Sequence, residues 1–124
     1  MRVMVIEDSK ILADAIKALL IDMDDVNIEG EATTAQAAIL QLNTQQFDLI
    51  IVDIELAQGT GFEVMEYINH PGYAYKTPIS IMLTNHAYSV YREQALRLGV
   101  DYFFDKSMQI EDAIAAIERE VSLH

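Results

Sequence analysis

Four apolar runs in this chain lead into residues that can do chemistry. Val3-Met4-Val5-Ile6 leads into Glu7-Asp8, and Leu49-Ile50-Ile51-Val52 into Asp53. Ile79-Ser80-Ile81-Met82-Leu83 ends at Thr84, and Tyr102-Phe103-Phe104 is followed within two residues by Lys106. Short continuous apolar runs of this kind predict strands buried on both faces. Ligands of a parallel α/β sheet bind outside the carboxyl ends of its strands. Three carboxylates, a hydroxyl and an ammonium are therefore expected at one sheet edge, a set suited to a divalent cation and a phosphoryl group.

The electrostatics of that set is demanding. An ionised Asp53 directly after a buried run is costly unless it is paired or bound to a cation. Carboxylates ~4 Å apart repel by roughly 4 kcal/mol at an effective dielectric of 20. Lys106, a metal or both must offset this, and a purely structural Asp53–Lys106 salt bridge is the competing reading. Magnesium suits the donors, because it takes one or two carboxylates, keeps waters and accepts phosphate oxygens; manganese could substitute. The chain has no cysteine, and His70, His86 and His124 show no zinc spacing. His86, two residues past Thr84, reads as a rim residue, and His124 has no readable role.

The segments between the runs have helical periodicity. Ile11, Leu12, Ala15, Ile16, Leu19 and Leu20 form one predicted helical stripe, ended at Asp22 to Asp25. Val26 to Ala32, with charges at Glu29 and Glu31, predicts an edge strand. Thr33 or Thr34 can cap a helix to about Asn43, with Ala35, Ala38, Ile39 and Leu42 apolar. After a loop containing Gly59, Thr60-Gly61-Phe62-Glu63 reads as a capping box opening a helix to about Asn69, and His70-Pro71-Gly72 stops it. Helices over about Tyr88–Leu98, with Gly99 as C-cap, and about Met108–Val121 complete five βα units. Such alternation implies a doubly wound parallel sheet.

Composition narrows the function classes. At 124 residues the chain is expected to be a single domain over 1–124 with no output domain, burying roughly two thirds of its unfolded surface. No apolar run approaches the ~20 residues of a membrane span, and no signal peptide is visible, so a cytoplasmic protein without membrane contact is expected. Twenty acidic against eight basic residues give a net charge of -12, which argues against nucleic-acid binding.

The order acid pair, Asp, Thr, Lys at 7–8, 53, 84 and 106 resembles the receiver domain of bacterial response regulators. So do Asp53-Ile54-Glu55-Leu56 leading to Thr60-Gly61, Thr77-Pro78-Ile79, and Leu98-Gly99-Val100. The resemblance covers essentially the whole chain. It implies an α/β flavodoxin-like fold, five parallel strands in the order 2-1-3-4-5 with about five helices. It implies that Asp53 accepts a phosphoryl group from a phosphohistidine of a histidine kinase or phosphotransfer protein. Glu7, Asp8, Asp53 and the backbone carbonyl of Glu55 would hold Mg²⁺, while Lys106 and Thr84 would contact phosphoryl oxygens. Phe103 matches the aromatic that fills the space Thr84 vacates; as phenylalanine it would give a steric, apolar readout, and an ordinary core aromatic is the competing reading. The output would be the face of the helix at 88–98, the strand at 102–104 and the last helix, with Tyr91, Arg92 and Arg97 as contacts and a homodimer as one option.

Three departures from the family pattern stand out. Ser107 replaces the usual proline after the lysine, so that loop is either trans or strained. Ala57 replaces a frequent proline after the acceptor, which should loosen that loop. Asn85, in place of a small residue, narrows access to Asp53. With Glu55 and His86 on the rim, these predict an altered phosphoryl lifetime rather than lost acceptor function. Two other functions compete. A haloacid-dehalogenase-type phosphatase uses similar groups, but its nucleophile precedes its acid pair, its second catalytic Asp would be Glu55 here, and a cap domain has no room. A non-phosphorylated receiver-like interaction module would keep the fold without the chemistry. The favoured reading is a Mg-dependent phosphoacceptor with intrinsic autodephosphorylation, not an enzyme.

Overall fold

The computed structural model describes residues 1–124. Five strands, β1 (Arg2–Ile6), β2 (Asn27–Ala32), β3 (Leu49–Asp53), β4 (Ile79–Thr84) and β5 (Tyr102–Asp105), form one parallel sheet in the order β2-β1-β3-β4-β5. Five helices alternate with them: α1 (Lys10–Ile21), α2 (Ala35–Thr44), α3 (Gly61–Ile68), α4 (Ser89–Arg97) and α5 (Ile110–Leu123). This is the doubly wound architecture expected, with the charged β2 at one edge. No helix is long and apolar enough to cross a membrane.

Strand alternation splits the core in two. Met4, Ile6, Ile50, Val52 and Met82 pack with α2, α3 and Ala95 of α4 on one face of the sheet. Val3, Val5, Leu49, Ile51, Ile81 and Leu83 pack with α1 and α5 on the other. All five residues of β3 are buried, which explains its nearly unbroken apolar run. The register also aligns the strand ends. Ile6 pairs with Val52, Asp53 with Leu83, and Thr84 with Asp105. Glu7 and Asp53 thus leave the sheet at the same level.

The caps expected for α2 and α3 are present: Ala37 N–H donates to Thr34 Oγ1 at 3.1 Å and Glu63 N–H to Thr60 Oγ1 at 3.3 Å. Only half of the predicted capping box forms, because the Glu63 carboxylate lies against Gly59 instead of returning to Thr60. The α1 stripe needs a larger correction. Its buried residues are Ala13, Ile16 and Leu20, while Ile11 and Leu19 are exposed. Two adjacent apolar rows occur on this helix, and the sheet covers only one. The last helix starts at Ile110, two residues later than expected, since the preceding residues form a turn bound to Asp105.

Candidate functional site

Glu7, Asp53 and Thr84 are among the few buried polar side chains, at 4%, 7% and 1% exposure. Each is held there by its strand: Glu7 N–H extends the β1–β2 ladder by donating to Ala32 O at 3.0 Å, and Asp53 and Thr84 are the last residues of β3 and β4. Lys106 N–H donates to Thr84 O at 2.9 Å, which fixes the lysine backbone at the carboxyl end of β4. Its Nζ donates to Asp53 Oδ2 at 2.9 Å and also to Glu7 Oε1. The sequence reading paired Lys106 with Asp53 alone; its second partner, Glu7, becomes visible only once the ends of β1 and β3 are level.

One ammonium thus serves two buried carboxylates, and the exposed Asp8 adds a third. Ligand oxygens of Glu7, Asp8 and Asp53 all lie within 4.8 Å of one another. Burial pushes the Glu7 carboxyl up to about 7, against the lowering effect of its hydrogen bond from Lys106 and with further upward pressure from Asp53. Burial also pulls the Lys106 ammonium down, but its bonds to Glu7 and Asp53 outweigh this and leave it raised. A surplus of buried negative charge is what a divalent cation would neutralise. The donor set fits a hard, oxygen-liganded cation.

The loop from Asp53 to Gly61 is tightly folded. Gly61 N–H donates to Ile54 O at 2.8 Å, and Glu55 and Thr60 form an isolated antiparallel bridge. A Cβ at Gly61 would overlap the Asp53 carbonyl oxygen, so glycine is required for the helix to start this close to the strand end. Gly59, at φ 77°, makes the left-handed turn. Ala57 does not loosen this loop, contrary to expectation. Its N–H donates to Thr33 O at 2.9 Å, and Ala35 N–H donates to Gln58 O at 3.0 Å, tying the loop to the β2–α2 connection. A proline at 57 could not donate the first of these bonds.

Thr84 Oγ1 accepts from His86 N–H at 3.0 Å. His86 Nδ1 lies 3.3 Å from Glu55 Oε1, within ion-pair range but out of line for a hydrogen bond, and the ring packs edge-on against Tyr88. Asn85 is exposed beside them. The Lys106–Ser107 peptide is trans. Ser107 N–H and Oγ donate to Asp105 Oδ1 at 2.8 and 2.6 Å, Met108 N–H joins at 3.3 Å, and Asp105 N–H donates to Gln109 Oε1 at 3.1 Å. Those bonds, the serine hydroxyl first, hold the Asp105 carboxyl below its usual range. Sequence reasoning passed over Asp105, although Asp-x-Ser is a recognisable side-chain turn pattern.

Phe103 is half-buried and packs toward α2, α3 and α4, whereas Tyr102 and Phe104 pack on the opposite face. The Arg92 guanidinium lies 4.6 Å from the Phe103 ring centroid, so the surroundings of this ring are not purely apolar as expected. Tyr91 is half-buried against Phe62, and Arg97 is exposed.

Comparison with known proteins agrees with this geometry. A family model described as the response regulator receiver domain matches residues 3–118. The transcriptional regulatory protein DesR of Bacillus subtilis is 31% identical over 115 residues, covering 93% of this chain and 55% of that protein. DltR of Streptococcus agalactiae, also a transcriptional regulatory protein, is 32% identical over 118 residues, covering 94% and 50%. The chain therefore spans about half the length of the curated relatives it matches. In fold it is similar to a LuxR-family DNA-binding response regulator from Staphylococcus aureus, with TM-score 0.84, 23% identity, and coverage of 97% and 98%. It is likewise similar to a CheY-like receiver domain protein from Methanospirillum hungatei, with TM-score 0.80, 24% identity, and coverage of 98% and 93%. With strand order, acid cluster and family match in agreement, the chain belongs to the response regulator receiver domains of two-component signalling.

Proposed function

We propose that Asp53 is the phosphoacceptor of a Mg²⁺-dependent receiver and that phosphorylation switches a protein-binding face. The observation that carries this reading is the shared ammonium: Lys106 sits 2.9 Å from Asp53 and also bonds Glu7, with Asp8 alongside. An Asp53 carboxylate oxygen attacks phosphorus, the P–N bond to a phosphohistidine of a kinase or phosphotransfer protein breaks, and the donor imidazole leaves. Lys106 is positioned to neutralise one equatorial phosphoryl oxygen, and the Thr84 hydroxyl to donate to another after leaving His86 N–H. Glu7, Asp8, Asp53 and the Glu55 carbonyl would hold Mg²⁺, or Mn²⁺ in its place, which when bound screens charge between acceptor and phosphoryl oxygens. Glu55, Asn85 and His86 form the rim that tunes phosphoryl lifetime. Autodephosphorylation would be the protein's only hydrolytic activity.

The proposed output face comprises α4, β5 and α5, and meets a downstream protein or a second copy. A cytoplasmic location follows from the same reading. Incubation with acetyl phosphate and Mg²⁺ should add one acid-labile phosphate that disappears with chelator and in Asp53→Asn. Unchanged labelling of Asp53→Asn would sink the assignment, and multiple turnover of p-nitrophenyl phosphate would favour a phosphatase.

A further inference from the structure

α4 is lightly held. Ala95 is its only buried residue, Tyr88 caps it without a side-chain hydrogen bond, and Val90 and Leu96 are exposed. Its tertiary anchors are specific. Tyr91 packs on Phe62 with centroids 5.9 Å apart, the Leu98 carbonyl accepts from Asn69 Nδ2, and Arg92 reaches across to β5. The Arg92 guanidinium covers the Phe103 ring at 4.6 Å, and its Nη1 donates to the Phe103 carbonyl at a long 3.5 Å. Both side chains line an open groove of about 590 Å³ between α4 and β5, with Ala87, Ser89, Ala95 and Val100.

Phe103 is also placed to sense Thr84. Met82 pairs with Phe103 and Thr84 with Asp105, so Phe103 lies one step behind Thr84 on the neighbouring strand, along the same sheet face. A cation over an aromatic face favours whichever ring position preserves the contact.

We propose that Arg92 is a latch: it holds Phe103 and α4 in the resting arrangement, and phosphorylation at Asp53 must break the Arg92–Phe103 contact. The latch rests on the reading of Asp53 and Thr84 given above. Arg92 charge also acts, more weakly than Ser107, on the Asp105 carboxylate of the loop carrying Lys106. One exposed side chain thereby spans the output helix, the switch aromatic and the active-site loop.

Beryllofluoride, a phosphoryl mimic, tests this in the whole chain with saturating Mg²⁺. Apparent affinity scales with the fraction of molecules already in the binding-competent arrangement. An exposed cation–π contact shifts such an equilibrium by about two- to fivefold. Arg92→Ala and Arg92→Gln should therefore bind beryllofluoride about two- to fivefold more tightly than wild type, with a shifted Phe103 ring resonance in NMR of the ligand-free protein. Electrostatics alone acts in the opposite direction, because losing a cation weakens anion binding. In a Phe103→Leu background the gain should vanish. Equal or weaker binding by both Arg92 variants, with wild type binding normally, overturns the latch alone. So does a gain that persists without Phe103. A wild type that fails to bind beryllofluoride overturns the phosphoacceptor reading and leaves the latch nothing to release.

Discussion

Lys106 has one charge and two buried carboxylate partners, so Glu7 is the group whose ionisation responds most to its surroundings. Its folded carboxyl is raised to about 7 from an ordinary 4.5, chiefly by burial. Below about pH 4.5 both folded and unfolded chains keep that proton, and its contribution to stability is complete. As pH rises toward 7 the unfolded chain releases the proton first, and stability is lost. The raised Lys106 acts only at alkaline pH, and the lowered Asp14 and Asp105 only in acid, so none of these opposes Glu7 in this window. With chelator present, the urea midpoint should fall from pH 5 to pH 8, and Glu7→Gln should flatten the slope. Mg²⁺ should restore stability at pH 8, where the cation takes the proton's place. A midpoint that rises over this interval would refute the assignment. Gly61 makes a second case at this scale. Gly61→Ala drives a methyl into the Asp53 carbonyl, and overpacking of this kind costs about 1–3 kcal/mol. Urea denaturation should show that loss, and acetyl phosphate labelling should drop with it as Asp53 is displaced.

At the scale of elements, both positions that depart from the proline pattern use the N–H that proline lacks. Ala57 N–H anchors the β3–α3 loop to Thr33, and Ser107 N–H anchors the β5–α5 loop to Asp105. Thr33 and Ala57 are both exposed, so Ala57→Pro should destabilise the protein by about 0.5–1.5 kcal/mol, the range for losing one solvent-accessible hydrogen bond. Equilibrium urea unfolding checks it, and a stabilised variant would mean that the Thr33 contact is dispensable. These anchors also mark the limit of what could be read from residue order. The central strands were legible because both of their faces are buried, leaving continuous apolar runs such as Leu49–Val52. Their polar ends followed directly, and with them the site. The Thr33–Ala57 bond and the Arg92–Phe103 contact join segments far apart in the chain, so no local pattern announces them. The orientation of α1 was hidden for a different reason. Its apolar residues fill two adjacent rows, and only the sheet decides between burying Ala13 and burying Ile11.

Across the whole molecule, twenty acidic side chains face eight basic ones, and three of the acids, Glu7, Asp8 and Asp53, gather at the carboxyl end of the sheet. A cleft of about 400 Å³ beside it is lined by Glu7, Asp8, Asp14 and Glu31. Lys10, which also lines the cleft, is paired with Asp14, Lys17 with Asp14 and Glu31, and Lys106 with Glu7. A small anionic donor such as acetyl phosphate must therefore approach against the field, whereas a donor protein with a basic surface is drawn in. Salt separates the two cases, since the Debye length shortens to about 10 Å at 0.1 M. At saturating Mg²⁺, raising KCl from about 20 to 200 mM should speed labelling of Asp53 by acetyl phosphate about twofold or more. Transfer from a basic phosphohistidine protein should slow over the same range. Asp14→Asn combined with Glu31→Gln should weaken both responses while leaving Glu7, Asp8 and Asp53 intact. Labelling by acetyl phosphate that slows with salt would mean that bound Mg²⁺ and Lys106 already reverse the local field. The acidic surface would then have no part in selecting the donor.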